Sequence, residues 1–461
     1  MIVMKFGGTS VEDAAAMSRV AGIVSRVASR RVLVVVSACA GVTNDLIRIA
    51  GLVRDGSEPE ALQRLDVLRR RHQQIVEELG LAGGEADLPT VISEMFLELQ
   101  NFMHGIYLLG ELTNRSLDMF TSFGERLSSL IFSSALRKNG VRSCLIDARR
   151  VMVTDRGYGS AQPIVERVEE RVMEIVRPGL ESGEVGVTQG FIGATEDGIT
   201  TTIGRGGSDL SAAIFGAALG AEEIQIWTDV DGMMSADPRV VPDPRRIGVM
   251  SFNEASELAY FGAKVLHPRT ILPAIQKNIP VRVLNSRRPD LAGTLILGSV
   301  DESRKHSGEI IKSIAFKKGI TVINVSSSRM LMAHGFLARL FSIFAEHRKS
   351  VDVVATSEVS VSLTVDSDDD LATIVEELRL IGDTRVTPRK AIICIVGEGM
   401  RETPGIAARL FGALGQAKIN IEMVSEGASE INLTLVVDET VAEKSVRVLH
   451  AEFFGAVGSP A

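Results

Sequence analysis

The chain has 461 residues, 45% of them hydrophobic and 23% charged, with a formal net charge of -8. That length exceeds one ordinary core and calls for about two to four domains, and a pI near 5.6 argues against nucleic acid as a partner, which needs a clustered positive surface. The longest apolar run, VLVVVSACAG, is too short to cross a bilayer, no signal-peptide pattern precedes the first strand, and three widely spaced cysteines lack any CxxC. A cytoplasmic protein with no membrane segment and no zinc site is therefore expected. The seven histidines show no ligand spacing, and the basic cluster from Arg69 to His72 reads as a solvated helix face.

In chain order, IVMKF, VEDAAAMSRVAGIVSRVAS and RVLVVVSA read as strand, helix, strand, which means parallel pairing in an α/β sandwich. VRSCLID, EVGVTQGFIG, EIQIWTDV and VRVLN continue the buried strands. Between about residues 58 and 136 the pattern turns helical, predicting an insert over one end of the sheet. Residues 298–312 lose apolar periodicity and gain charge, which marks a linker. Beyond it, GFLARLFSIFAEHRKSVDVV from Gly335 and GIAARLFGALGQAKINIEMV from Gly405 align without a gap, seventy residues apart. Met330 then matches Met400, and Leu363-Thr364 matches Leu433-Thr434. Each repeat reads strand, helix, strand, strand, helix, a split βαβ arrangement.

Several polar segments fall at the C-terminal ends of predicted strands, where open α/β sheets bind ligands. KFGGTS carries Lys5 as a point charge and Gly7 and Gly8 as sources of backbone N–H groups for an anion, although its lysine precedes the glycines, unlike a Walker loop. SACAGVTNDL places Ser37 and Thr43 at a strand-to-helix junction, where Thr43 could equally be an N-cap. TTTIGRGGSD sets Arg205 among glycines, with Ser208 and Asp209 opening a helix; its guanidinium fork suits a carboxylate or phosphate. Thr228, Asp229, Arg239 and Lys264 follow, and the set reads as a nucleotide pocket. Glu125, after Gly124 at an expected helix start, is either a stabilising charge or a partner for a substrate ammonium.

In this order, KFGGTS, SACAGVTN, FGERLS, TTTIGRGGSD, WTDVDG with DPR, and FGAKVLHP resemble the aspartate kinases over nearly the whole chain, in particular the lysine-sensitive monofunctional type with tandem ACT modules. The resemblance implies a three-layer amino-acid-kinase fold over 1–297, a linker at 298–312, and ferredoxin-like βαββαβ ACT domains at 313–386 and 387–461. It implies transfer of the γ-phosphoryl group of ATP, with Mg2+, to the side chain of L-aspartate, in lysine, threonine and methionine biosynthesis. On it, Lys5 contacts the ATP phosphates, Gly7, Gly8 and Ser37 line them, and Asp209 orients the lysine or the magnesium. Arg205 holds a substrate carboxylate, Glu125 the substrate amine, and Thr43 and Ser208 add polar contacts. Thr228, Asp229, Met234, Arg239, Lys264 and Val265 line the nucleotide. Met330, Gly335, Phe336, Leu337, Asp352, Ser357 and Glu358 lie near an effector, lysine or threonine, with Asp352 as counter-charge for a lysine ammonium. Dimers or dimers of dimers form through the ACT domains. Phe123, Met234 and Ala333 depart from residues common in the family. Another acid acceptor, or a catalytically silent amino-acid-binding regulator, is the alternative reading.

Overall fold

The computed structural model describes residues 1–83, 87–261, 268–298, 310–327, 330, 334–366, 371–400, 403–426 and 431–455. It divides into two compact units, Met1–Met233 with Val265–Gly298, and Met234–Lys264 with Ser299–Ala461.

The first unit is built on strands β1 (Ile2–Phe6), β2 (Val32–Val36), β3 (Ser143–Ile146), β4 (Val185–Gln189) and β7 (Glu223–Thr228), followed by Val281–Asn285 and Thr294–Leu297. Their order is β3, β4, β2, β1, β7, Val281–Asn285, Thr294–Leu297. All neighbours from β3 to Val281–Asn285 are parallel, and the last pair is antiparallel. Every residue of β1, β2 and β4 is buried, as parallel strands covered on both faces require. From β1 the chain moves to β2 on one side, while β7 pairs on the other; the crevice at such a reversal is where ligands bind. A short hairpin, β5 (Ile192–Ala194) and β6 (Thr200–Thr202), follows β4.

Helix α1 (Ala14–Ser25) is capped by Asp13, whose carboxylate accepts from Ala16 N at 2.7 Å, and α2 (Val42–Arg54) starts from Gly41 at φ 84°. Three long helices occupy the stretch read as an insert: α3 (Glu58–Glu78), α4 (Leu88–Leu109) and α5 (Asn114–Lys138). Yet α5 is no appendage, because Phe120, Phe123, Leu127, Ile131 and Phe132 share a core cluster with Met4, Phe6, Val34 and Val36. Glu125 therefore lies mid-helix, not at a helix start as the glycine before it suggested. Gly124 is tolerated there because a Cβ would come 2.8 Å from Ala38 Cβ. Helices α6 (Val165–Arg171), α7 (Arg177–Glu181) and α8 (Gly207–Leu219) complete the elements used below.

The second unit includes Met234–Lys264, which the sequence placed with the kinase segment. Its attachment is specific. Ser313 Oγ donates to Met234 O at 2.8 Å, Ile314 N donates to Ser235 O at 2.9 Å, and Ala236, Val240 and Val241 share a core with Ile314 and Leu449. The sheet runs Val354–Thr356, Ser360–Val365, Ser313–Ser326, Asp383–Val396, Asn432–Asp438, Met423–Glu426. Its two long central strands serve both repeats. Val322 to Ser326 pair with Asp383 to Thr387, closing the first module, while Ser313 to Lys317 pair with Ile392 to Val396. The second module thus draws its fourth strand from ahead of the first, and the border expected near 386 falls inside a continuous strand.

Candidate active site

A cavity of about 350 Å3 opens at the C-terminal ends of the parallel strands, lined by Lys5, Gly7, Gly8, Ser37, Ala38, Cys39, Ala40, Gly41, Thr43, Asn44, Glu125, Phe191 and Gly204 through Asp209. Segments more than two hundred residues apart meet here because β1, β2 and β4 are parallel neighbours that end on the same side.

Lys5 is 9% exposed, and its Nζ forms an ion pair with Asp209 Oδ1 at 2.6 Å. The contact joins charges without the alignment of a hydrogen bond, so Asp209 Oδ1 retains hydrogen-bonding capacity. The Gly7 N–H is taken by Trp227 O at 3.1 Å, which fixes the turn and is not free for an anion as the sequence suggested. Gly8 is required sterically, since a Cβ would stand 2.9 Å from Ala38 O. Ser37 Oγ donates to Ser208 Oγ at 3.0 Å, and Ser128 Oγ donates to Ser37 O at 2.7 Å, so α5 and the start of α8 hold the turn after β2. Thr43 lines the cavity but is not the N-cap of α2; Gly41 is.

Glu125 is 3% exposed; one carboxylate oxygen accepts from Ala38 N at 3.3 Å and the other, Oε2, is buried without a partner. Burial pushes its carboxyl from the ordinary 4.5 up to about 8. A cation placed against Oε2 would relieve that cost. Arg205 stands between Gly204 at φ 81° and Gly206 at φ 75°, exposed and without an ion-pair partner among the described residues. The cavity thus presents a buried carboxyl that an incoming cation would ionise, a free guanidinium and a lysine beside a carboxylate, groups that match an ammonium, a carboxylate and phosphates.

Some expected residues lie elsewhere. Thr228 ends β7 and Asp229 follows it, with Thr228 Oγ1 donating to Asp229 Oδ1 at 3.2 Å, and neither lines this cavity. Met234 and Arg239 belong to the second unit, where Arg239 forks onto Asp237, Nη2 to Oδ2 at 2.6 Å. Lys264 and Val265 lie outside the described residues. Of the effector set, Met330 and Phe336 pack against the first module's core, Gly335 begins its first helix, and Leu337 is 41% exposed. Ser357 and Glu358 form the turn before Ser360. The Asp352 side chain, 2% exposed, meets Lys317 Nζ at 3.5 Å and the Tyr260 hydroxyl.

Two further residues support the site. Asp118, two helical turns before Glu125, accepts from Gly159 N at 2.9 Å, Thr202 N at 3.0 Å and Thr202 Oγ1 at 2.6 Å, binding α5 to β6. That spacing on one helix face was the available signal. Phe191 takes φ 64° in the cavity wall, an uncommon conformation for a bulky residue, and QGFIG gave no hint of it.

Residues 1–285 match the amino acid kinase family and residues 393–453 the ACT domain. The chain is 39% identical to the lysine-sensitive aspartokinase 3 of Escherichia coli, covering 98% of this chain and 99% of that protein. It is 37% identical to the chloroplastic aspartokinase 2 of Arabidopsis thaliana, covering 98% and 84%. The chain belongs to the aspartokinases. Crystal structures of E. coli aspartokinase III superpose on 98% of it: the R-state complex with aspartate and ADP with a TM-score of 0.82 at 37% identity, covering all of that chain, and the T-state complex with lysine and aspartate with 0.78 at 38%, covering 99%. As an aspartokinase it is an ATP-dependent kinase of the amino-acid-kinase fold carrying ACT regulation. Among the described residues no helix is long and apolar enough to cross a membrane.

Proposed function

We propose that this cavity transfers the γ-phosphoryl group of ATP to the side-chain carboxylate of L-aspartate, forming 4-phospho-L-aspartate. The observation that carries the reading is the unpartnered buried Oε2 of Glu125 in the same cavity as the Lys5 and Asp209 pair. Glu125 would take the substrate ammonium and Arg205 its α-carboxylate. The side-chain carboxylate, with an ordinary pKa of about 3.9, is already ionised and needs no general base. Catalysis then rests on alignment and on stabilising charge at the transferring group. Lys5 would supply that charge, and Asp209 would hold Lys5 in place.

Mg2+ fits this donor set. No group of three or more metal-type side chains stands among the described residues, and magnesium on nucleotides needs one or two carboxylates, with phosphate oxygens and water completing its shell. Asp209 would be that carboxylate; the ion would neutralise phosphate charge.

We further propose feedback by lysine through the ACT modules, a cytoplasmic setting, and dimers formed through those modules. Asp352 already faces the Lys317 ammonium, so an effector ammonium would share or displace it. Thermodynamically, the effector must bind one global state better than the other.

An assay of ADP release with L-aspartate, L-glutamate or no acceptor tests the reading. Turnover should require aspartate, lysine should inhibit it, and Lys5→Ala should lower kcat by about a hundredfold or more at an unchanged melting temperature. Near-normal turnover of Lys5→Ala would make the lysine structural.

A further inference from the structure

Arg69, Arg70 and Arg71 are consecutive on α3, and the first two behave as a solvated helix face, both pairing with Asp66. Arg71 turns inward. Its Nη1 donates to the carbonyl of Ala40 at 2.9 Å and its Nη2 to the carbonyl of Glu12 at 3.0 Å. Ala40 lines the cavity on the turn after β2, and Glu12 follows the Gly7-Gly8 turn after β1. One planar guanidinium therefore ties together two loops that leave adjacent strands.

Those loops are already pressed together. Ala40 N donates to Gly8 O at 3.1 Å, and no Cβ fits at Gly8. With α3 as a third side, the guanidinium closes a ring that fixes how far apart the two turns stand. Peptide geometry adds a direction. Carbonyl and following N–H point opposite ways across a planar trans peptide, so holding the Ala40 carbonyl turns the Gly41 N–H away from Arg71. Gly41 lines the cavity and is the N-cap of α2, where backbone N–H groups carry the positive end of the helix dipole.

We propose that Arg71 is a positioning residue for phosphoryl transfer: from behind the cavity wall it sets the spacing of the Gly7-Gly8 and Ala38 to Gly41 turns and the direction of the Gly41 N–H. The proposal rests on the kinase reading of the cavity and gives Arg71 no contact with either substrate. Glu125 and Arg205 are not among its partners, and the Ala38 N–H that Glu125 accepts from is held from α5 itself, through Ser128 Oγ on Ser37 O, so the loss of Arg71 acts on the chemical step and little on aspartate binding. Lysine cannot replace it, because a point charge lacks the two-pronged fork.

The test compares full-length Arg71→Ala and Arg71→Lys with wild type in the ADP-release assay. Both variants should lose about ten- to a hundredfold in kcat, with the KM for aspartate within about threefold of wild type and the melting temperature unchanged. Added methylguanidinium should restore part of the kcat of Arg71→Ala, and methylammonium should not. Wild-type kcat in both variants overturns the proposal and leaves the kinase reading intact; a wild type without aspartate-dependent turnover overturns both. If Arg71→Ala does not fold, Arg71→Lys decides: lost kcat at the wild-type melting temperature supports the role. Full kcat, or failure to fold here too, overturns it.

Discussion

A carboxyl group enclosed as completely as that of Glu125 can relieve its desolvation in two ways, by keeping a proton or by receiving a cation. With its carboxyl raised from 4.5 to about 8 by burial, the folded chain holds a proton that the unfolded chain releases. Stability from this group is complete below about pH 4.5, falls as pH rises and is gone above about pH 8. Glu125→Gln should remove that slope, leaving the variant more stable than wild type at pH 8 by an amount on the order of a few kcal/mol. Denaturant unfolding at pH 5 and pH 8 measures it; equal slopes in both proteins would mean the carboxyl is ionised in the fold. Binding runs the opposite way: aspartate needs the ionised form, so its KM should fall as pH rises toward 8. At this scale the sequence was readable where residue types declare charge at a strand end, as with Lys5, Arg205 and Asp209. It was opaque for Arg71, identical in composition to its neighbours and different only in where its helix points it.

Helix α5 shows what an element can hide. Its glycine read as a helix start, yet Gly124 is a contact surface, with Ala38 Cβ and Val42 Cγ1 at 2.8 and 3.4 Å from a Cβ placed there. Gly to Ala inside a helix ordinarily gains about 1 kcal/mol, but overpacking costs about 1–3 kcal/mol. The second effect should win, because the methyl meets the turn that lines the cavity. Gly124→Ala should therefore lower both the urea midpoint and kcat/KM; a stabilised, fully active variant would show that the turn yields freely. Strand and helix order was legible from periodicity, since parallel strands buried on both faces leave unbroken apolar runs. What periodicity cannot tell is which residue of a long amphipathic helix meets which loop, and so Asp118 and Gly124 went unread.

At the scale of the molecule, the seventy-residue repeat was plain in the sequence because both modules bury the same positions: Leu340 and Leu410 are each 0% exposed. Their interleaving was not, because a strand pairing across the repeat leaves no trace in its own periodicity. The first module enters and leaves the second through neighbouring strand positions, Ile320 opposite Lys390. Replacing residues 320–389 by a short turn should leave the second module folded within the remaining chain, with its strand pairing intact by hydrogen exchange. Collapse of protection at Ile392 to Val396 would mean that the modules fold only together.

The strand Ser313–Ser326 also imposes a schedule on synthesis. Its later half can find its partner strand once Thr387 has been made. Its earlier half must wait for Ile392 to Val396, and the sheet beyond waits for Asn432–Asp438. On the ribosome, then, the module earlier in the sequence can close while the other still lacks half its sheet, and a stretch of apolar strand stays uncovered in between.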